Sequence, residues 1–403
     1  MTAATDGKSG GVLAGIRVLD YGRYVAGPYC ATLLGYLGAE VIRVEKRDGS
    51  EDRYIAPLNA AGEGAVLLQT GCNKKSLTLE PTTPEGREVT ARLVRSADVV
   101  VANLPAATLR AMGLDHDTVR AQNPAIILAT QTAFGERGPY AARGGFDGIG
   151  QALSGAMYMT GMPGAPAKAA APYVDFSTAV LSAFGVLAAL LERGRSGRGQ
   201  RVETTLLGTA LAAFNSHLVE QSVLGLDRVP SGNRVQTSAP SDVFATRDGH
   251  VLLHVVGNGL FRRWARLVGD ESRWTGDPRF QSDQSRADHA EPILARTRAW
   301  CAERTSEQVV TACEQAGLPA GAVQNLQQAL DDPQVAAMEF LRKVEYPGLA
   351  RPAAVADLPV RLSASGGGIE RRPPLLGEHT EEILGGLGYS AAEIAELRGK
   401  GIV

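Results

Sequence analysis

Short, almost wholly apolar runs alternate with amphipathic stretches along the first half of the chain. Residues 16–21 read as a strand, 22–28 as a loop and 29–37 as a helix that Gly38 ends, and 39–44 as the next strand. Pro28 suits the first turn of that helix, where its missing N–H costs nothing. Strand, helix, strand is a βαβ unit, which implies a parallel sheet. The alternation continues with helices over 85–96 and 107–112 and strands over 98–101 and 126–130. The pattern predicts an α/β fold, with a Rossmann-like open parallel sheet in a large domain over residues 10–195.

Asp175 stands just before a nearly unbroken apolar run, 179–191, which predicts a buried helix. Ser182 and Gly185 interrupt that run, and it is too short to span a bilayer. A turn-forming basic stretch follows at 193–199. The segment 196–231 reads as a linker with a strand over 200–207 and a helix over 210–225. The texture then changes. A hairpin over 242–256, with Asp248-Gly249 as its turn signal, leads into helices over 260–267 and 290–302. Thr305 with Gln308 three residues on is a capping box announcing another helix. These elements make 232–325 a smaller α+β domain. A second linker, 326–343, leads to 344–403, where strand-like segments return to the large domain and Ser390 with Glu393 opens a final helix.

Composition narrows the function classes. Hydrophobic residues make up 44% of the 403 and charged residues 21%, as in a globular protein with a large core. Lys plus Arg (41) nearly balances Asp plus Glu (43), so neither nucleic acid nor an anionic membrane is expected as a partner. Four cysteines lie far apart with no Cys-x-x-Cys pair, which fits reduced thiols and a cytoplasmic location. Residues 1–11 show no apolar leader segment. The six histidines have no metal-ligand spacing, and no metal is expected. Glu45 after the second strand imitates the ribose-binding acid of a dinucleotide fold. The glycine fingerprint is missing, however, since Gly22 and Gly27 are five apart and Pro28 follows.

By itself, an Asp ahead of an apolar helix is either an N-cap or a catalyst. The dipole and free N–H groups of a helix start favour an ionised carboxylate, and such a carboxylate can attack a thioester.

A series of stretches, each weak alone, resembles the family III CoA-transferases when taken in order. They are Ala14-Gly15-Ile16-Arg17-Val18-Leu19-Asp20, Ala26-Gly27-Pro28, Leu37-Gly38-Ala39-Glu40-Val41-Ile42-Arg43-Val44-Glu45 and Asn73-Lys74-Lys75-Ser76-Leu77-Thr78-Leu79. Thr83-Pro84-Glu85-Gly86, Ala97-Asp98-Val99-Val100-Val101, Gly197-Arg198-Gly199-Gln200 and Pro374-Leu375-Leu376-Gly377-Glu378-His379-Thr380 continue the series. The resemblance covers nearly the whole chain. It implies an enzyme that moves CoA from an acyl-CoA to a carboxylic acid, with CoA as substrate and product and no permanently bound cofactor. It also implies a homodimer of ring-shaped subunits interlocked like chain links.

The resemblance implies site residues as well. Asp175 matches the family's nucleophile, in a loop before an apolar helix. Tyr24, Val25 and Ala26 match the loop that contacts CoA. Lys46 and Arg47 resemble positions near the CoA phosphates, the alternative being a solvated pair at a strand end. Leu79 resembles an adenine contact, with a core role as the alternative. The family's Glu-Asn-Phe-x-Pro-Gly is here Ala102-Asn103-Leu104-Pro105-Ala106-Ala107. Asn103 therefore matches, and Leu104 replaces an aromatic. Arg110 and Arg143 fall within a residue of basic positions that meet CoA phosphates, a task suited to cations. The segment 232–240 lies where a substrate loop belongs but lacks a run of glycines. The related racemase branch of the family has Gly-His-Asp where this chain reads Gly145-Phe146-Asp147. Phe146 becomes a candidate wall of the acyl pocket, with a core-packing role as the alternative, and Asp147 a helix cap or an orienting group. An α-methylacyl-CoA racemase and a non-catalytic CoA-binding protein are the alternative functions.

Overall fold

The computed structural model describes residues 10–403; the first nine residues, and with them most of the expected leaderless N-terminus, lie outside it. The chain forms two compact units. The first holds residues up to Ser154, then Ala169–Leu218 and Pro333–Val403; the second holds Gly155–Lys168 and Val219–Asp332.

The elements of the first unit run β1 (Arg17–Asp20), α1 (Ala26–Tyr36), β2 (Glu40–Glu45), α2 (Ala65–Gly71), β3 (Lys74–Thr78), α3 (Pro84–Arg95), β4 (Val99–Ala102), α4 (Ala106–Met112), α5 (His116–Gln122), β5 (Ile127–Thr132) and α6 (Asp147–Leu153). After α7 (Ala156–Thr160), which belongs to the second unit, come α8 (Tyr173–Ser196), β6 (Arg201–Thr205) and α9 (Leu206–Ala213). The six strands form one parallel sheet in the order β3-β2-β1-β4-β5-β6. This is the doubly wound order, with its switch point between β1 and β4. Strands β1, β2 and β4 are buried along almost their whole length, which is why they read as continuous apolar runs rather than alternating ones. One core lies on each face. Leu19, Leu77, Val100 and Leu128 belong to one, and Val18, Val41, Val99 and Ile127 to the other.

The strand expected over 200–207, within the stretch 196–231 read as a linker, is β6, the edge strand paired with β5. Leu341–Val344 and Ala353–Ala356 form a separate two-stranded antiparallel ribbon and do not join the main sheet. The expected second linker also carries short helices, Leu326–Leu330 and Pro333–Ala337. Helix α8 is 24 residues long and is apolar enough by length and composition to cross a membrane, longer than the run 179–191 suggests. Thr178, Ala179, Ser182, Ala183, Val186 and Ala189 on it are buried.

The family-like stretches turn out to be braces. Asn73, in a left-handed conformation (φ 61°), accepts from the backbone N–H groups of Glu370 and Arg371 and donates to Gly368 O. Lys74 Nζ lies 2.7 Å from both Asp20 Oδ2 and Pro28 O. Ser76 Oγ accepts from Gly377 N, and His379 N donates to Ser76 O. Under the ends of β1–β3, Arg43, Arg53 and Lys74 interlace with Asp20, Glu45, Asp52 and Glu63.

The second unit contains the expected hairpin, β7 (Ser241–Ala245) and β8 (His250–His254), closed by a bond from Thr246 N to Gly249 O. Its core gathers Phe261, Trp264, Trp274, Phe280 and Trp300. Thr305 and Gln308 form the capping box of the helix Ser306–Gln315, as their spacing implies. All four cysteines are buried thiols.

Candidate active site

In an open α/β sheet the crevice outside the carboxyl ends of the strands, at the switch point, is the natural ligand site. Here it lies between the loop after β1 and the loop after β4. Asn103, just past β4, clamps the β1 loop: Arg23 N donates to its Oδ1 at 2.7 Å, and its Nδ2 donates to Arg23 O at 2.8 Å. Asn103, read as a CoA contact, thus spends its amide on the backbone of the neighbouring loop. A Cβ added at Gly27 would stand 3.1 Å from Asn103 Oδ1 and 3.0 Å from Gly22 Cα, so the clamp needs glycine there. Arg23 itself is held by the carbonyls of Tyr21, Gly22 and Val44. The clamp sets Tyr24 in a left-handed conformation (φ 61°), uncommon for a residue with a side chain. Val25 then caps α1 through its carbonyl, which accepts from Tyr29 N.

Ala26 is buried, and it packs with Val174, Leu206 and Ala210. That contact brings the β1 loop to the start of α8. Helix α8 begins at Tyr173, so Asp175 is its third residue and not its N-cap. The sequence pattern misses the first turn because the apolar run starts only at Ala179. The cap comes from another helix. Asp147 Oδ1 accepts from Val174 N at 2.8 Å and from Asp175 N at 3.2 Å. Its Oδ2 accepts from Gln151 Nε2 at 2.6 Å, and Gln151 Oε1 accepts from Ala169 N at 2.9 Å. A Cβ on Gly150 would come within 2.9 Å of Val174 Cγ1, so glycine lets α6 approach α8 this closely.

Asp175 is only 8% exposed, and its carboxylate makes no hydrogen bond or ion pair among the described residues. Burial, and then the Asp147 carboxylate, push its pKa up to about 6. The expectation that free N–H groups at the helix start hold this carboxylate ionised is therefore overturned, because Asp147 takes them. The result is a carboxylate still mostly charged at neutral pH but more basic and less solvated than an ordinary one, the profile of a candidate nucleophile.

Phe146, immediately before α6, is 60% exposed and meets the Tyr24 ring edge-on at 5.2 Å between centroids. Along α8 from Asp175, Phe176 packs edge-on against Tyr29, and both line an open groove of about 540 Å³ with Ser177, Val180, Thr209 and Ala213.

The other expected contacts scatter along the same edge of the sheet. Lys46 and Arg47 follow β2. Lys46 pairs with Glu51 at 2.6 Å, whereas exposed Arg47 has no such partner among the described residues. Leu79 follows β3 but is fully buried in the core, so its side chain offers no surface to an adenine. Half-buried Leu104 leans on the same core. Arg110, in the last turn of α4, is exposed; Arg143, also exposed, stacks on Tyr140 at 4.0 Å. Glu45, which mimics a ribose-binding acid, is buried and engaged by Arg53, Ser76 and Ser50, and so is closed to a ribose. Two residues escape the sequence reading. Arg23 carries no local signal. Gln151 stands four residues after Asp147, the spacing at which helical side chains meet.

The family model for CoA-transferase family III matches residues 13–380. The succinyl-CoA–D-citramalate CoA-transferase of Chloroflexus aurantiacus is 34% identical over 398 residues, 96% of this chain and 97% of that protein. The succinate–glutarate CoA-transferase of Agrobacterium fabrum is 33% identical, covering 92% of this chain and 94% of its own. Among solved structures, a CaiB/BaiF family protein from Brucella suis superposes with a TM-score of 0.82 at 28% identity, over 94% of this chain and all of that one. Rv3272 of Mycobacterium tuberculosis gives 0.81 at 28% identity, over 93% and 100%. With a parallel sheet, a switch-point crevice and a buried carboxylate in place, and with relatives matching over nearly its whole length, this chain belongs to CoA-transferase family III and is a CoA-transferase.

Proposed function

We propose that Asp175 carries CoA transfer from an acyl-CoA to a carboxylic acid through covalent intermediates. The observation that supports this best is the unpaired, buried carboxylate of Asp175 at the crevice. The Asp175 carboxylate attacks the donor thioester carbonyl, the C–S bond breaks, and an acyl-aspartyl anhydride and CoA thiolate result. The thiolate attacks the aspartyl carbonyl, forming an aspartyl-CoA thioester and releasing the donor carboxylate. The acceptor carboxylate attacks that thioester and frees the thiolate again. The thiolate then takes the acyl group from the new anhydride, restoring Asp175. No net proton is consumed, and a difficult exchange is split into covalent steps. The N–H groups of Val174 and Asp175 are occupied by Asp147 and do not serve the oxyanions.

Tyr24, Val25 and Ala26 form the CoA-facing loop in this reading, with Arg47, Arg110 and Arg143 as cations for its phosphates and Phe146 as a wall for the acyl group. The relatives' names put succinyl-CoA and short dicarboxylic acids first among substrates to try. Hydroxylamine added during turnover should leave a hydroxamate on Asp175, readable by peptide mass spectrometry. An unmodified Asp175 under turnover with a good substrate would count against the covalent route.

The assembly in this reading is an interlocked cytoplasmic homodimer. Val180, Leu181, Phe184 and Leu191 stand exposed along α8, and a helix apolar all round is normally covered. The chain also leaves the first unit and returns to it. Differently tagged native subunits should not exchange over hours at micromolar concentration; free exchange would exclude interlocking.

A further inference from the structure

Between Ser154 and Ala169 the chain leaves the first unit for the excursion Gly155–Lys168 and comes back. Gln151 stands at the stem of that excursion. It is 1% exposed, and both ends of its amide are used. Its Oε1 accepts from Ala169 N, on the returning segment of the stem, and its Nε2 donates to Asp147 Oδ2. The other oxygen of Asp147 accepts from the N–H groups of Val174 and Asp175. One continuous hydrogen-bonded path therefore runs from the stem, through an amide and a carboxylate, to the backbone of the nucleophile.

An amide suits the middle of this path better than the alternatives. It donates to Asp147 and accepts from Ala169 at once, and it adds no charge beside two carboxylates. A Lys there would neutralise Asp147 and could not accept. A hydroxyl is too short to reach both partners from a helix position four residues along. Without the donor, Asp147 Oδ2 loses its partner, and the cap of α8 is held only by the two N–H groups it is meant to fix.

We propose that Gln151 is a positioning residue for the transfer reaction, locking Asp147 in the orientation that caps the first turn of α8 and so fixing where Asp175 points. The proposal rests on Asp175 as nucleophile. Gln151 touches no substrate in this role and acts only through Asp147. Small misplacements of a reacting group are costly, about 100-fold in rate for roughly 1 Å.

The test uses the full-length protein with Gln151→Leu and Gln151→Glu, beside Asp175→Ala as a reference. Gln151→Leu keeps the bulk and loses both bonds. It should lower kcat about 10- to 100-fold with KM for acyl-CoA moved less than about threefold, since the CoA loop is untouched. Gln151→Glu can donate to Asp147 only when protonated, so its kcat should recover relative to wild type as pH falls from 8 toward 6. Wild-type kcat in Gln151→Leu, or a Gln151→Glu variant whose deficit is the same at every pH, overturns the proposal. If Gln151→Leu does not fold, the pH dependence of Gln151→Glu decides alone. Transfer by Asp175→Ala would instead remove the nucleophile reading itself, whatever the Gln151 variants do.

Discussion

The backbone N–H of Asp175 points at Asp147 Oδ1, 3.2 Å away, so two carboxylates from different helices share one helix start. The arrangement is electrostatically adverse for Asp175 and structurally favourable for α8. Its N-terminus receives the negative charge that a helix dipole favours, from the neighbouring Asp147 as well as from Asp175 in its own first turn.

Separating the two effects of Asp147 gives the first prediction. Asp147→Asn keeps an oxygen for the N–H groups of Val174 and Asp175 but removes the like charge. With Asp175 as the proposed nucleophile, attack needs its ionised form, so the acid limb of kcat/KM in wild type should rise through about pH 6. In Asp147→Asn the limb should move to lower pH, while staying above the ordinary carboxylate range because burial, the larger cause, remains. Asp147→Ala should also cost roughly 1 kcal/mol of stability as the cap is lost. A limb that does not move in Asp147→Asn would show that its charge is not felt at Asp175.

Stability offers a second check on the same carboxylate. The folded-state pKa of Asp175 lies above its unfolded value of 3.8. Between about pH 4 and 6 the folded form therefore binds more protons, and its stability falls as pH rises. Above pH 6 the whole penalty is present, about 3 kcal/mol for a shift of this size. Asp175→Asn should abolish transfer, keep CoA binding and raise the unfolding free energy near pH 7.5, with the gain shrinking toward pH 4. Denaturant titrations at the two pH values would measure it, and a less stable variant at pH 7.5 would contradict a buried, unpaired charge.

The third prediction concerns Asn103. Its amide bonds to both the N–H and the carbonyl of Arg23, and Gly27 lies against it. Asn103→Asp keeps the acceptor for Arg23 N but loses the donor to Arg23 O. It should weaken CoA binding, and Asn103→Ala more so, by releasing the Tyr24 turn. The alanine variant should also lose about 1–3 kcal/mol of stability, the cost of partly buried groups left unpaired. Calorimetric CoA titration beside thermal unfolding tells the roles apart: weaker binding with unchanged stability would restore Asn103 as a direct contact.

What the sequence made legible follows from the range of each interaction. The β1–α1–β2 unit was readable because apolar runs and the Gly38 stop are local. The start of α8 was not, because its cap is Asp147, 28 residues away in sequence from the N–H it accepts. Leu79 and Asn103 lie on the expected edge of the sheet, yet one side chain faces the core and the other a backbone, and spacing alone does not distinguish such directions from a ligand contact. Arg43, within β2, and Lys74, at the start of β3, are buried charges whose partners Asp52 and Asp20 lie 9 and 54 residues away in sequence, too far for local pattern to pair them.

The last prediction separates CoA transfer from racemisation of a 2-methylacyl-CoA. A racemase removes the α-proton from one face of the substrate and returns it to the other, so it needs two opposed acid/base groups. Asp175, with a pKa near 6, could serve one face. By the resemblance of Gly145-Phe146-Asp147 to the racemase branch's Gly-His-Asp, Phe146 takes the histidine's place; it has no titratable proton, and its ring lies against Tyr24. Asp147 cannot take over the second role, because both its oxygens are engaged, by the start of α8 and by Gln151. In heavy water the protein should therefore exchange CoA between acids without placing deuterium on the α-carbon of a 2-methylacyl-CoA, as read by mass spectrometry of the recovered thioester. Fast α-deuteration by the wild-type chain, with no acid accepting CoA, would make it an isomerase and assign Asp175 to proton transfer.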